Sequence, residues 1–121
     1  MVSKTETAEA DELVGKAVDS GINYFDVAPS YGNAEEMLGP ALESYREGVF
    51  LACKTTERGA EGAREELESS LRNMRTDHFD LYQLHAMTTK EDFDRATGPG
   101  GALETFVKAR EEGKVRYLGF S

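Results

Sequence analysis

Short apolar, β-prone runs recur along the chain at intervals of roughly 30 residues, the length of one strand–helix–strand unit. The runs begin near residues 22, 49, 79 and 115. Between them, apolar residues are spaced three and four apart, as on one face of a helix. The run at 49–54 is almost wholly apolar, which is typical of a parallel strand covered on both faces. The pattern therefore predicts an α/β fold of about four parallel strands alternating with helices, with right-handed crossovers.

Local signals indicate where several of the helices begin and end. A helix is expected over about 6–20, with Leu13 on its buried face. Asn33, followed by Glu36 three residues later, predicts the N-cap and capping partner of a second helix. After the third strand the sequence indicates only one short helical turn, at 89–92.

Two architectures have this strand–helix period, the open doubly wound sheet and the (β/α)₈ TIM barrel. A doubly wound sheet that binds nucleotides carries a G-x-G-x-x-G turn, and none of the glycines fits that pattern. A complete barrel takes about 250 residues, whereas this chain has 121. We therefore expect residues 1–121 to form a single, incomplete barrel domain, or to complete the sheet by association.

Composition excludes several other classes of protein. The formal net charge is −9, which repels phosphate backbones and argues against a nucleic-acid partner. Cys53 is the single cysteine, so an internal disulfide framework and a cysteine-based structural zinc site are excluded. We place Cys53 in the core rather than in a reactive site. No apolar run approaches the length of a membrane span, and polar residues follow Met1. A cytoplasmic protein without a membrane role is expected.

Ionisable side chains occur at matching ends of the predicted strands. Asp26 ends the first strand, Tyr31 lies in the loop after it, Lys54 ends the second and His85 ends the third. In a barrel, catalytic residues lie at the carboxyl ends of strands and in the loops that follow. If the alternating faces point inward, the four groups converge on one opening.

Each of these residues also has a simpler interpretation. A carboxylate or ammonium at a strand end is commonly a solvated charge, and a single histidine is commonly a structural hydrogen-bonding group. Asp26 and His85 together could indicate a metal site, but no His-x-His pair or third strand-end carboxylate accompanies them. Their occurrence together on successive strands favours a catalytic site.

Four motifs then become recognisable in order: FDVAPSYG at 25–32, ACKT at 52–55, DLYQLH at 80–85 and YLGFS at 117–121. Together they resemble the aldo-keto reductases. The resemblance implies a (β/α)₈ barrel, of which this chain matches the segment from the first helix to the fifth strand. It also implies an oxidoreductase that reduces a small aldehyde or ketone with NADPH.

The same resemblance assigns roles to individual residues. Tyr31 would be the general acid that protonates the carbonyl oxygen, and the Lys54 ammonium would stabilise its phenolate form. Asp26 would pair with Lys54 and hold it in place. His85 would orient the carbonyl or help relay the proton. Ser121 matches the position that helps to hold the nicotinamide carboxamide.

The resemblance also implies that most family contacts to the cofactor lie in parts of the barrel that these 121 residues do not match. We therefore expect weakened NADPH affinity, and self-association through exposed sheet edges. A non-catalytic partial barrel that serves as a binding or assembly module is the main alternative. A metal-dependent hydrolase ranks below both.

Overall fold

In the computed structural model, which describes residues 3–121, four strands form a single parallel sheet. Each strand pairs with the next along the chain, so the spatial order is the sequence order. This arrangement confirms the predicted α/β pattern of strands alternating with helices. The strands are β1 (Tyr24–Asp26), β2 (Phe50–Thr55), β3 (Phe79–Leu84) and β4 (Val115–Phe120).

One helix precedes the first strand, the others connect successive strands, and together they cover one face of the sheet. Across residues 3–121, each helix is too short or too polar to span a lipid bilayer. A 3₁₀ segment at Glu43–Gly48 follows the second helix. The α-helices are α1 (Lys4–Asp19), α2 (Ala34–Leu42), α3 (Ala60–Asn73), α4 (Lys90–Thr97) and α5 (Ala102–Glu111).

The hydrophobic core lies between the sheet and the helices. Tyr82 of β3 is fully buried, with its ring centroid 4.9 Å from that of Phe106 on α5. Leu67 of α3 belongs to the same cluster. Burying side chains of this size is the main stabilising contribution to such a fold. The core therefore holds the strands in fixed register and so fixes where each strand ends.

The other face of the sheet carries a row of aromatic rings. Phe50 stacks between Tyr24 and Tyr117, with centroid distances of 5.4 and 6.4 Å. Tyr24 and Tyr117 are both about half exposed. Tyr24 therefore lies on the side of the sheet away from the core cluster.

Two local predictions differ from the structure at the first two helices. Of the apolar face predicted for α1, which also included Val14, Leu13 is 67% exposed, whereas Val14 is buried together with Ala10. Asn33 is the N-cap of α2, but its side chain makes no capping hydrogen bond. Its amide instead donates to Glu6 of α1 at 3.5 Å.

The segment after β3 contains a full helix, α4, where only a short turn was predicted. The hydroxyl oxygen of Thr89 accepts a hydrogen bond from the backbone N–H of Asp92 at 3.1 Å and caps its first turn. Lys90 and Asp94 form an ion pair one turn apart, at 2.8 Å. Ala96 is the residue of α4 that is fully buried. Local polar contacts therefore contribute to a helix that hydrophobic periodicity does not reveal.

A polar network, here called the amino-end cluster, joins the elements at the amino ends of the strands. It consists of Arg46, Thr76, His78 and Asp80. The Arg46 guanidinium donates to the Thr76 hydroxyl at 3.0 Å and to the His78 carbonyl at 2.8 Å, and lies 3.0 Å from the Asp80 carboxylate. Asp80 also accepts a hydrogen bond from the backbone N–H of Leu51 at 2.8 Å and lies 3.4 Å from the Arg116 guanidinium. The cluster thus ties the 3₁₀ segment to β2 and β3.

The charges of this cluster are buried. The Arg46 and Asp80 side chains are 14% and 7% exposed. Burial alone would raise the pKa of Asp80, but the Leu51 N–H and the Arg46 guanidinium outweigh it and hold the pKa below its usual range. Asp80 is therefore a buried, ionised carboxylate at neutral pH.

Candidate active site

The carboxyl ends of the strands bring together the polar side chains that the sequence singled out. Asp26 is the last residue of β1, and Lys54 lies near the end of β2. In the parallel register Asp26 pairs with Ala52, two residues before Lys54 on the same face. His85 follows β3 directly. We call Asp26, Tyr31, Lys54 and His85 the carboxyl-end cluster.

Lys54 is the centre of this cluster. Its ammonium nitrogen lies 2.9 Å from the Asp26 carboxylate and 2.9 Å from the Tyr31 hydroxyl oxygen. The Lys54 side chain is 6% exposed, while Asp26 and Tyr31 are 36% and 44% exposed. The lysine therefore lies beneath two groups that remain accessible from outside.

The surroundings of Lys54 keep it protonated. Burial by itself lowers the pKa of Lys54, but hydrogen bonds to Tyr31 and Asp26 outweigh it, so the net pKa is raised above its ordinary value. Because an ammonium has only donors, Lys54 donates to the oxygen of Tyr31. The hydroxyl hydrogen of Tyr31 is thus left free for another acceptor.

The loop after β1 folds Tyr31 back over Lys54. The N–H of Tyr31 donates to the carbonyl of Ala28 at 3.1 Å, and the carbonyl of Tyr31 accepts from Ala34 at 3.1 Å. Gly32 has a φ of 62°, a left-handed conformation that glycine adopts without a steric penalty. The turn and the start of α2 therefore fix the direction from which Tyr31 approaches the strand ends.

His85 lies beside Tyr31 at the same opening. The two rings meet edge to face, with centroids 6.3 Å apart and planes at 89°. The backbone N–H of His85 donates to the carbonyl of Thr55 at 2.9 Å. The imidazole Nδ1 lies 3.5 Å from the hydroxyl of Ser121, just after β4. Lys54 and His85 both line a cleft of about 200 Å³ next to this pair.

The arrangement is suited to donating a proton to an oxygen that gains negative charge. Tyr31 and His85 offer two donors side by side, and the Lys54 ammonium is in direct contact with the oxygen that would lose its proton. The structure thus brings all four members of the carboxyl-end cluster together, and places Ser121 next to His85.

A metal site would need at least three suitable ligands in most protein metal centres. The described part of the chain, residues 3–121, brings together no group of three His, Cys, Asp or Glu side chains that could hold a metal ion. Asp26 is engaged by Lys54 at 2.9 Å. His85 has the Ser121 hydroxyl as its nearest polar side-chain contact.

Cys53 lies on the opposite face of β2 from Lys54, in the core cluster, as predicted. Its thiol is fully buried and donates to the Glu35 carboxylate of α2 at 3.5 Å. Burial, with a further contribution from the nearby Glu35 charge, raises the pKa of the Cys53 thiol. A thiol that stays protonated and inaccessible has no role as a nucleophile.

Sequence reasoning missed Arg58, which the structure places directly behind the cluster. Arg58 is buried in the loop after β2, and its guanidinium donates to the backbone carbonyl of His85 at 2.6 Å. Its position four residues after Lys54, in a loop that also holds Glu57, offered only a weak signal. Nothing in the hydrophobic period indicates a buried arginine at this position.

The comparisons with known proteins agree on one family. The model of the Aldo/keto reductase family matches residues 2–121. The uncharacterized oxidoreductase YqkF of Bacillus subtilis is 34% identical over 97% of this chain and 41% of its own length. The aldo-keto reductase YhdN of the same organism is 34% identical over 97% of this chain and 38% of its own length. The chain thus spans about two fifths of the length of these curated relatives.

Solved structures show the same similarity in three dimensions. The holo form of aldo-keto reductase AKR11C1 from Bacillus halodurans superposes with a TM-score of 0.77 and 31% identity, over 95% of this chain and 41% of that one. An aldo-keto reductase from Klebsiella pneumoniae in complex with NADPH gives a TM-score of 0.81 and 28% identity, over 98% of this chain and 40% of that one. In each comparison the similarity extends over almost all of this chain.

Proposed function

The chain belongs to the aldo/keto reductase family, and we propose that its carboxyl-end cluster donates the proton in an NADPH-dependent reduction of an aldehyde or ketone. The four strands form part of a (β/α)₈ barrel, which is the fold class that the sequence predicted. Active sites of such barrels lie at the carboxyl ends of the strands. The carboxyl-end cluster therefore lies at the position where barrels of this fold have their active sites.

One observation carries the proposal: the buried Lys54 ammonium joins Asp26 and Tyr31, at 2.9 Å from each. Because Lys54 donates to the Tyr31 oxygen, the phenolic hydrogen can be given to a carbonyl oxygen in the opening. As that proton leaves, the adjacent ammonium stabilises the phenolate. Asp26 balances the charge of Lys54 and fixes the direction of its ammonium.

His85 supplies a second donor to the same carbonyl oxygen. Its edge-to-face contact with Tyr31 places the two side chains on neighbouring sides of the opening. A carbonyl oxygen held by both donors would be oriented before reduction, and its developing negative charge would be stabilised. In this proposal Tyr31 gives the proton and His85 orients the substrate.

The donor set also fits the nicotinamide end of the cofactor. Ser121 presents an exposed hydroxyl next to His85, where it can hydrogen-bond to a carboxamide. NADPH, when bound, supplies the hydride that reduces the carbonyl carbon. The side chains of this chain would hold the nicotinamide amide, orient the carbonyl and provide the proton.

The substrate class that fits this site is a small aldehyde or ketone. The site offers hydrogen-bond donors to a single oxygen, and Lys54 and His85 border a cleft of about 200 Å³. Loops set specificity in barrels of this kind, so a panel of small carbonyl compounds is the appropriate probe.

Calorimetric titration with NADPH, followed by a carbonyl panel monitored by NADPH absorbance, tests the proposal. We expect saturable binding, and NADPH consumption matched by formation of an alcohol. If NADPH neither binds nor is consumed with any carbonyl compound, the proposal is contradicted, and the chain behaves as the non-catalytic binding or assembly module considered from the sequence.

A further inference from the structure

Arg58 lies in the loop after β2, behind the carboxyl-end cluster rather than within it. Its side chain is 8% exposed, so the guanidinium is buried in the protein. One nitrogen, Nε, donates to the carboxylate of Asp92 on α4 at 3.1 Å. Because guanidinium is planar and always charged, a contact on one side fixes the direction of its remaining N–H groups.

One of those groups reaches the backbone that carries His85. Nη2 of Arg58 donates to the carbonyl of His85 at 2.6 Å and to that of Ala86 at 3.3 Å, whereas Nη1 is buried without a hydrogen-bond partner among the described residues. Hydrogen bonds from a charged donor are among the stronger hydrogen bonds in proteins. Nη2 therefore clamps two consecutive peptide groups where the chain leaves β3.

The clamped backbone includes a strained residue, Ala86. Ala86 has a φ of 58°, in the left-handed region that residues with a Cβ rarely adopt. The next residue, Met87, still donates its N–H to the carbonyl of Ser121, just after β4, at 2.7 Å. A strained residue of this kind persists only where its surroundings hold it, and Arg58 contacts the carbonyls on both sides of the Ala86 nitrogen.

The imidazole of His85 has few contacts of its own. Its polar side-chain neighbour among the described residues is the Ser121 hydroxyl, at a long 3.5 Å, and its ring meets Tyr31 only edge to face. With so little to hold the ring directly, its position follows that of the backbone. Backbone hydrogen bonds on both sides of the turn, from the His85 N–H to Thr55 and from the Met87 N–H to Ser121, help to set that backbone position. Arg58 holds the two carbonyls that lie between them.

We propose that Arg58 is a positioning residue for the reductase reaction, which holds His85 beside Tyr31 by clamping the peptide groups of His85 and Ala86. The inference rests on the proposed function for the role of His85, but the clamp itself is testable without turnover. Arg58 makes no contact with substrate in this proposal and acts only through the backbone.

Proton NMR of the two histidines provides the direct test. The sequence contains only His78 and His85, and His78 lies in the amino-end cluster, so its imidazole signals act as an internal reference. We expect Arg58→Met to shift the His85 ring signals and weaken its cross-peaks to Tyr31, while the His78 signals stay in place. If the His85 signals and cross-peaks are unchanged in Arg58→Met, the proposal is overturned.

Two matched variants separate the clamp from general stability. Asp92→Asn removes the carboxylate partner but leaves both carbonyl contacts, so we expect only small changes at His85. Arg58→Lys keeps the charge with a single donor group, and we expect His85 signals between those of wild type and Arg58→Met. Should Arg58→Met fail to fold, the Arg58→Lys spectrum decides: unchanged His85 signals would overturn the proposal.

Kinetics provide the second readout. We expect kcat for carbonyl reduction to fall by about 100-fold in Arg58→Met, since a shift of about 1 Å in a catalytic group has effects of this size, with the Kd for NADPH unchanged. Absence of turnover in the wild-type chain would contradict the proposed function. The His85 spectra, recorded without substrate, would still decide the role of Arg58.

Discussion

A basic side chain pairs with a carboxylate at both ends of the sheet, but the two pairs have different surroundings. In the amino-end cluster, Asp80 is buried, Arg46 is only 14% exposed, and both bond to backbone groups. In the carboxyl-end cluster, Lys54 is buried, but its two partners, Asp26 and Tyr31, are side chains that face an accessible opening.

The difference indicates what each pair does. Arg46 and Asp80 satisfy the polar groups of loops and strands, so their bonds hold the fold together. Lys54 bonds to groups that can exchange protons with a bound molecule, so its contacts are available for chemistry.

Replacing each basic residue by methionine should give the largest contrast. Arg46→Met removes the nearest charge partner of the buried Asp80 carboxylate, leaving Arg116 at 3.4 Å, and removes bonds to backbone carbonyls, so we expect a loss of about 2 kcal/mol in the free energy of unfolding. Lys54→Met leaves Asp26, which water can reach, and should change that free energy by about 1 kcal/mol or less. Urea denaturation of both variants measures the contrast, and equal losses would contradict it.

Although Lys54→Met should affect stability less than Arg46→Met, it should affect activity more. Without the ammonium, the phenolate of Tyr31 loses its stabilising charge, and we expect kcat for carbonyl reduction to fall by about 100-fold. Lys16→Met is the matched control, because Lys16 is an exposed lysine paired with Glu12 on α1. Steady-state kinetics with NADPH measure both. Full activity in Lys54→Met would contradict the proposed role of Lys54 in the reaction.

Asp26→Asn should have a smaller effect on the same reaction. The amide can still accept a hydrogen bond from Lys54 but no longer balances its charge, so the lysine is held less firmly. We expect kcat to fall by about tenfold, less than for Lys54→Met. A greater loss from Asp26→Asn than from Lys54→Met would indicate that Asp26 itself carries the chemistry.

The stabilising contribution of Asp80 in the amino-end cluster should be lost in acid. The folded protein holds the pKa of Asp80 below its unfolded value of about 3.9. Ionised Asp80 therefore contributes to the free energy of unfolding above about pH 3.9, and this contribution is lost as the pH falls through the folded pKa. We expect the free energies of unfolding of wild type and Asp80→Asn to converge between about pH 6 and pH 2. A constant difference would show that ionisation of Asp80 does not matter.

Much of the carboxyl-end cluster was predictable because it follows from register. The apolar runs mark the strands, and parallel pairing brings Asp26, Lys54 and His85 to one edge of the sheet. Tyr31 is added by a Pro-Ser-Tyr-Gly turn whose residues indicate its shape. These features depend on period and on local turn chemistry, both of which can be read from sequence.

Other features depend on contacts between segments distant in sequence. Helix α4 has few apolar residues, so its Thr89 cap and ion pair leave no hydrophobic period to detect. The clamp of Arg58 on His85 spans 27 residues and depends on the left-handed turn at Ala86. The exposure of Leu13 is decided by how α1 packs against α2. Tertiary packing determines these details, and the pattern of residues along the sequence does not predict that packing.

The central claim, that Tyr31 gives the proton during carbonyl reduction, is tested most directly by removing its hydroxyl. The measurement is kcat of Tyr31→Phe at saturating NADPH, with Tyr45→Phe as the control that makes the same change beside the amino-end cluster. We predict a fall of about 100-fold or more for Tyr31→Phe and wild-type activity for Tyr45→Phe. Turnover by Tyr31→Phe equal to that of wild type would contradict the assignment.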